Sequence, residues 1–275
     1  MKALNHGSVL VFLALFLLGT LLFWVTKLDL WSIRFFYDPA TGFSGKGNPI
    51  FDFFYFPLNA IILSVSVVMS LFVLGVSFFR HPPLRQFATL RSEAVYLFTT
   101  TLVGAGFING FLLKAIFGRP RPFSVLAEEA VYYPPFYIVR ESLGDVSMSF
   151  PSGHVSVAVS LCAFYFLFRN ANGRLRLIKW GIGVILPVVL GIIMMMSRMA
   201  YGDHFLSDGV FAALFTVLWA ALLAKAFKPD LPMMCVFEKR LDKKAVLVMV
   251  VIGHVVLLLT VLLMVQTDGL TKIGS

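Results

Sequence analysis

Cysteine and charged residues are both scarce in this 275-residue sequence. Its two cysteines, Cys162 and Cys235, are too few for a disulfide framework and are expected to be inert packing residues. Only 13% of the residues are charged, whereas a soluble globular chain is about a quarter charged. Because 59% of the residues are hydrophobic, the composition excludes an ordinary soluble domain and indicates an integral membrane protein.

Long stretches with little or no charge divide the chain. A helix needs about 20 residues to cross the hydrocarbon core, and two of the stretches reach that length only if they begin at Pro151 and His204. These starts would place polar motif residues at helix ends. The seven stretches are Ser8–Thr26, Phe53–Phe79, Ala94–Leu113, Val155–Phe168, Trp180–Ser197, Gly209–Ala224 and Ala245–Thr267.

The net charge of +9 is unevenly distributed. If the N-terminus lies inside and the spans alternate, segments 1–7, 80–93, 169–179 and 225–244 are internal. They hold 14 of the 23 basic residues and 4 of the 14 acidic residues, a net charge of +10, and the rest of the chain carries −1. This asymmetry is typical of the positive-inside rule. The basic excess therefore indicates membrane orientation, and we expect no nucleic-acid partner.

The first stretch and the outer loops have further implications. With 19 residues and no clear small-x-small cleavage site, the first stretch is interpreted as an uncleaved anchor and not a signal peptide. The long segments 27–52 and 118–150 are rich in aromatic residues, which often mark the lipid headgroup level. Phe136 and its tyrosine neighbours are expected there.

Three polar patches stand at the ends of predicted helices. The first contains Lys114, Arg119 and Arg121, and the others are the segments 150–154 and 197–208. In the proposed topology, all three lie on the same side of the membrane. They can therefore converge on one pocket.

The residue types in these patches suit a phosphate. Ser152 and Gly153 precede a helix, whose free backbone N–H groups form an anion site. Lys114, Arg121 and Arg198 supply three cations, and the guanidinium fork suits phosphate oxygens. Gathering three cations at a lipid boundary indicates an anion with several oxygens.

Two histidines can divide the chemistry. If the sixth helix begins near His204, then His204 and Asp208 share a helical face. The carboxylate can then fix the imidazole tautomer and leave the other nitrogen as a nucleophile. His154 can protonate the leaving alkoxide. The predicted reaction is displacement at phosphorus through a phosphohistidine, which water then hydrolyses.

The same residues resemble the type 2 phosphatidic acid phosphatase (PAP2) superfamily. Its pattern K-x6-RP, PSGH and SR-x5-H-x3-D is matched by Lys114 with Arg121-Pro122, by Pro151–His154, and by Ser197-Arg198 with His204 and Asp208. The resemblance implies that phosphate is held by Lys114, Arg121, Ser152, Gly153 and Arg198. It implies His154 as the acid, His204 as the nucleophile and Asp208 as its orienting partner, with no metal and no cofactor. Arg119 is a further candidate for phosphate or headgroup binding that the pattern does not require.

These expectations define an all-α membrane helix bundle with six core spans and a seventh, C-terminal span. Residues 1–52 would form an N-terminal span and outer loop, 53–226 the phosphatase core, and 227–275 a basic linker and extra span. The site would face the exterior of a bacterial cytoplasmic membrane. We expect a lipid phosphate substrate and the bilayer as partners, and no obligate protein partner.

The substrate and two rival classes stay open. FYDPATGF and YGDHFLSD resemble the bacterial lipid A phosphatases of the superfamily. Phosphatidylglycerophosphate, phosphatidic acid and undecaprenyl diphosphate are alternatives, because each presents a phosphate at the interface. A transporter would place its polar groups nearer the bilayer midplane. A haloperoxidase would hold vanadate in the same pocket.

Overall fold

The computed structural model describes residues 6–79, 86–139, 148–171 and 174–229, with Val251 and Val255. Within these parts the chain is helical except for loops and one small antiparallel pair, β1 (Tyr37–Asp38) and β2 (Gly42–Phe43). The α-helices are α1 (His6–Val25), α2 (Leu28–Ile33), α3 (Pro49–Tyr55), α4 (Pro57–Val76), α5 (Arg91–Phe98), α6 (Leu113–Phe117), α7 (Pro122–Leu126), α8 (Gly153–Val159), α9 (Ala163–Leu167), α10 (Arg174–Trp180), α11 (Leu186–Ala200) and α12 (Leu206–Phe227). Short 3₁₀ segments are Arg34–Phe36, Gln86–Leu90 and Ser160–Cys162, and the π-helical segments are Thr99–Leu112 and Gly181–Ile185.

Consecutive helical segments join into membrane-length elements. Four are long and apolar enough to cross a bilayer: Pro49–Val76, Phe87–Phe117, Arg176–Ala200 and Leu206–Phe227. A fifth exists if the N-terminal pair, bent by 75°, counts as one span. The described part is therefore a helical membrane protein with four to five candidate spans. The predicted seventh stretch lies outside the described residues, apart from Val251 and Val255.

The short apolar helix Gly153–Leu167 lies at the centre of the bundle. It packs against α11, α12 and the π segment 99–112, and its first two turns are mostly buried. Small residues permit this closeness. A Cβ added to Gly183 would come within 2.5 Å of the Tyr165 nitrogen, and one added to Gly153 within 3.0 Å of the Gly110 Cα. This contact fixes the start of the short helix, and with it His154.

The start of α12 differs from the prediction. The helix begins at Leu206, so His204 lies in the preceding connection and does not share a helical face with Asp208. The cause is local capping: the Asp208 carboxylate accepts the backbone N–H of Phe205 at 2.7 Å, and the Asp208 N–H donates to the Phe205 carbonyl at 3.1 Å. These bonds close the first turn two residues later than expected.

The loop after α7 folds back onto the protein. Phe136 packs in an aromatic cluster with Phe150 and Phe211 and is partly buried there. Its position at the lipid headgroups stays a prediction. Trp24 of α1 donates its indole N–H to the Pro135 carbonyl at 2.8 Å. Together these contacts hold the N-terminal helix against the loop beside the polar end of the bundle.

Candidate active site

The three polar patches meet at one end of the bundle. His154, at the start of α8, lies within electrostatic range of Arg198, His204, Lys114 and Arg121. Lys114, near the end of the Phe87–Phe117 span, interacts in the same way with Arg121 and Arg198. The structure therefore brings both imidazoles and three cations around one small region.

Asp203 lies between two of these cations. Its Oδ1 accepts a hydrogen bond from Arg121 Nη1 at 2.7 Å, and its Oδ2 forms an ion pair with Arg198 Nη2 at 2.8 Å. The sequence reasoning did not include Asp203. Its position between Arg198 and His204 in the third motif could have indicated this role, because a carboxylate at that position lies close to the cations of the motifs.

Arg198 keeps unused donors in a buried position. Its side chain is 3% exposed, and its Nε and Nη1 have no hydrogen-bond partner among the described residues. The Tyr55 ring lies under the guanidinium, 3.9 Å from ring centroid to Cζ, and 5.7 Å from the His154 ring centroid. A buried donor without a partner is costly. These N–H groups can be satisfied by the oxygens of an anion.

His204 is buried beside the same cations. Its side chain is 1% exposed, and neither ring nitrogen is hydrogen-bonded to the described protein groups. The Nδ1 lies 3.5 Å from Asp208 Oδ2, long for a hydrogen bond but close enough to orient the ring. Burial lowers the pKa of His204 well below its usual value, and Lys114 and Arg198 lower it further. The imidazole is therefore neutral at physiological pH, as a nucleophile requires.

Ser152 and Gly153 form the start of α8. The Ser152 hydroxyl accepts the Val155 N–H at 3.4 Å and its backbone N–H donates to the Asp208 carbonyl at 3.1 Å. The segment is thereby fixed against the first turn of α12. His154 follows directly, with a partly buried side chain.

Arg119 is paired with two buried carboxylates, Asp208 and Asp29. Its Nη1 bonds to Asp208 Oδ1 at 2.6 Å and its Nη2 to Asp29 Oδ2 at 2.8 Å. Its guanidinium is therefore committed to protein carboxylates, which argues against the expected role in phosphate binding. Asp29 was missed by sequence reasoning, because a single acid after an apolar span looks like a solvated loop residue.

An apolar cavity of about 770 Å³ runs beside this site through the membrane-length helices. Val155 and Gly209, each one residue beyond a motif residue, line it together with Met195. Its lining extends along the span Arg176–Ala200 from Met195 to Trp180. In the described residues, no three His, Cys, Asp or Glu side chains are grouped so that they could hold a metal ion.

The cations and the two imidazoles thus lie together at one end of an apolar helical bundle, an arrangement suited to an anion with several oxygens. Residues 93–230, half of the chain, match the PAP2 superfamily, and the chain belongs to it. It is a phosphatase, a phosphoric monoester hydrolase.

One relative and the solved structures complete the comparison. The chain is 28% identical over 188 residues to "Lipid A 4'-phosphatase" of Francisella tularensis subsp. novicida (strain U112), which covers 67% of this chain and 79% of that protein. No solved structure matches the chain significantly.

Proposed function

We propose that the protein removes a phosphate from a membrane lipid without a metal, through a phosphohistidine on His204. The observation that carries the proposal is a set of buried atoms without a hydrogen-bond partner among the described residues: donors of Arg198 and Arg121, and the ring nitrogens of His204. Buried donors of this kind match phosphate oxygens, and a neutral imidazole next to them matches an attack on phosphorus.

The groups around the imidazoles of His204 and His154 give each histidine a different role in the reaction. Asp208 faces Nδ1 of His204, so Nε2 is the atom that attacks phosphorus while the bond to the lipid oxygen breaks. His154 gives its proton to that leaving oxygen. Water, deprotonated by His154, then breaks the nitrogen–phosphorus bond and releases inorganic phosphate. Lys114, Arg121 and Arg198 hold the phosphate throughout, with the Ser152 hydroxyl and the Gly153 backbone N–H, because the Ser152 backbone N–H is already bonded to the Asp208 carbonyl.

Lipid A or a related glycolipid is the substrate that we favour. The Francisella relative carries the name of a lipid A phosphatase, and the sequences FYDPATGF and YGDHFLSD agree with that branch. The apolar cavity beside Val155 and Gly209 offers room for hydrocarbon chains, which a soluble phosphate ester lacks. Phosphatidylglycerophosphate, phosphatidic acid and undecaprenyl diphosphate are the alternatives.

The finer architecture belongs to the same proposal. Six spans would form the family bundle, with Gly153–Leu167 as the short fourth span and 245–267 as a seventh. Residues 53–226 would be the phosphatase core, between the N-terminal unit 1–52 and the C-terminal unit 227–275. The charge asymmetry supports a bacterial inner membrane with the site facing the periplasm.

The test is phosphate release by the purified full-length protein in detergent–lipid micelles containing EDTA. We expect release from lipid A to exceed release from the three alternative lipids, and vanadate to inhibit it. The matched control is His204→Asn, which should release none while its thermal unfolding stays close to that of the wild type. A radiolabelled substrate should give an acid-labile, base-stable phosphoenzyme in the wild type and none in the variant.

The other possible outcomes would each contradict a part of the proposed function. No release from any lipid would contradict phosphatase activity and favour a transporter, and peroxidase activity with bound vanadate would favour a haloperoxidase. Release that EDTA abolishes would contradict a metal-independent site. Faster release from another lipid of the panel would replace lipid A as the substrate.

A further inference from the structure

Arg119 connects two buried carboxylates. Its side chain is 1% exposed, and Asp29 and Asp208 on either side are both 0% exposed. The remaining donors also have partners: Nε donates to the Tyr133 carbonyl at 2.7 Å, and Nη1 also reaches Ser207 Oγ at 2.8 Å. With every nitrogen engaged by protein groups, the guanidinium acts on the structure of the site and not on the phosphate.

Asp29 fixes the first turn of α12. Its Oδ1 accepts the Ser207 backbone N–H at 2.8 Å, and its Oδ2 accepts the Ser207 hydroxyl at 2.6 Å and the Tyr132 hydroxyl at 3.2 Å. Asp29 belongs to α2, well before the matched residues 93–230. The N-terminal segment therefore contacts the turn that carries the candidate catalytic carboxylate.

Asp208 links Arg119 to the imidazole of His204. Arg119 holds its Oδ1, so its Oδ2 is left for the Phe205 N–H at 2.7 Å and for His204 Nδ1 at 3.5 Å. A buried carboxylate that loses its cation becomes neutral or reorients, because an unpaired buried charge is strongly unfavourable. After either change, Asp208 would no longer favour the His204 tautomer that is protonated at Nδ1 and leaves Nε2 free to attack.

We propose that Arg119 and Asp29 are positioning residues for His204, acting through Asp208, and that the N-terminal segment is thereby part of the active site. The inference rests on the proposed function, because it assigns the supporting groups of the same nucleophile. A purely structural role for the cluster would lower stability and disturb all steps alike. A positioning role lowers turnover and changes the imidazole while phosphate binding persists.

The test uses full-length Arg119→Lys and Asp29→Asn in the phosphate-release assay. Misplacing a catalytic group is costly in rate, so we expect kcat to fall by at least about tenfold. The inhibition constant of inorganic phosphate should stay within about twofold, because the pocket cations are untouched, and Asp29→Glu should recover part of the rate. The matched control is Trp24→Phe, which removes the bond to Pro135 from the same N-terminal unit but does not touch Asp208. It should keep the wild-type kcat.

A double-mutant cycle separates positioning from general damage. In an Asp208→Asn background, Arg119→Lys should lower kcat by less than about twofold, because its route to the imidazole is already lost. Independent, multiplicative losses would overturn the proposal, and so would weaker phosphate binding at unchanged kcat.

A readout without turnover tests the inference even if a variant is inactive or the proposed function fails. In protein with ¹⁵N-labelled histidine, the wild-type His204 signal, assigned by its loss in His204→Asn, should show the tautomer protonated at Nδ1. Arg119→Lys or Asp29→Asn should give a tautomer mixture. An unchanged tautomer in both variants would overturn the positioning role. A wild type that shows this tautomer but releases no phosphate would contradict only the proposed function.

Discussion

Asp203 and Arg198 form a buried ion pair, 2.8 Å between Oδ2 and Nη2, at the place where the candidate site gathers its cations. The same carboxylate also accepts a hydrogen bond from Arg121. Asp203 therefore holds the two guanidinium groups in position and also competes with any anion that approaches them. In the proposed function, a phosphate would use donors that Asp203 leaves unused, among them Nε and Nη1 of Arg198 and Nε of Arg121, which have no hydrogen-bond partner among the described residues.

The competition predicts that Asp203→Asn binds inorganic phosphate more tightly. Removing a negative charge in contact with both arginines should lower the inhibition constant about fivefold, on the order of 1 kcal/mol. Competitive inhibition of phosphate release measures it, with the exposed Glu129→Gln as the charge-matched control. Weaker phosphate binding in Asp203→Asn would show that ordering the arginines outweighs the repulsion.

Tyr55 should contribute to phosphate binding through its ring. The ring lies 3.9 Å from Arg198 Cζ, a cation–π contact that fixes the plane of the guanidinium. Tyr55→Leu should raise the phosphate inhibition constant by roughly 5- to 30-fold, equivalent to about 1–2 kcal/mol. Tyr55→Phe keeps the ring and should stay near the wild type. If both variants lose affinity equally, the hydroxyl is the important group and not the ring.

The sequence predicted the motif residues of the site better than it predicted contacts between residues far apart in the chain. The spacing from Arg198 to His204 and Asp208, and the order of the three motifs, indicated which cations and imidazoles would meet at one bundle end. Local geometry was less accurate: the helix start was placed at His204, because the capping of Phe205 by Asp208 needs a backbone conformation that spacing does not reveal.

The contacts of Asp29 and Arg119 that support Asp208 could not be predicted from the sequence. The bond between Asp29 and Arg119 joins residues 90 positions apart, and the loop after α7 adds to it the hydrogen bond from the Tyr132 hydroxyl to Asp29. Neither residue carries a local pattern that distinguishes a buried partner from a solvated charge. The same loop brings Phe136 into contact with Phe211, a packing that aromatic composition alone does not reveal.

The protonation of His204 gives a prediction with a defined sign. Burial beside Lys114 and Arg198 lowers its pKa, so the ring stays neutral as the pH falls below the usual histidine value of about 6.5. A ¹⁵N-histidine spectrum, with His204→Asn for assignment, should show this ring still neutral at about pH 6. Lys114→Met removes a neighbouring cation and should move the midpoint upward. A wild-type midpoint at or above about 6.5 would contradict the neutral nucleophile.

Gly153 links the packing of the bundle to the position of His154. A Cβ at this residue would lie 3.0 Å from the Gly110 Cα, which is backbone and cannot rotate away, so Gly153→Ala must push the start of α8 from the π segment. A shift of a few tenths of an ångström in the residue next to His154 should lower kcat on the order of tenfold and also lower Tm. The matched control is Gly75→Ala in α4, where an added Cβ meets no atom of the described residues within 4 Å and should leave kcat unchanged. Because alanine stiffens the unfolded chain, Tm of that control should stay the same or rise. Phosphate release and thermal unfolding of both variants test this prediction. If kcat and Tm of Gly153→Ala equal those of Gly75→Ala, the contact between Gly153 and Gly110 does not set the geometry of the site.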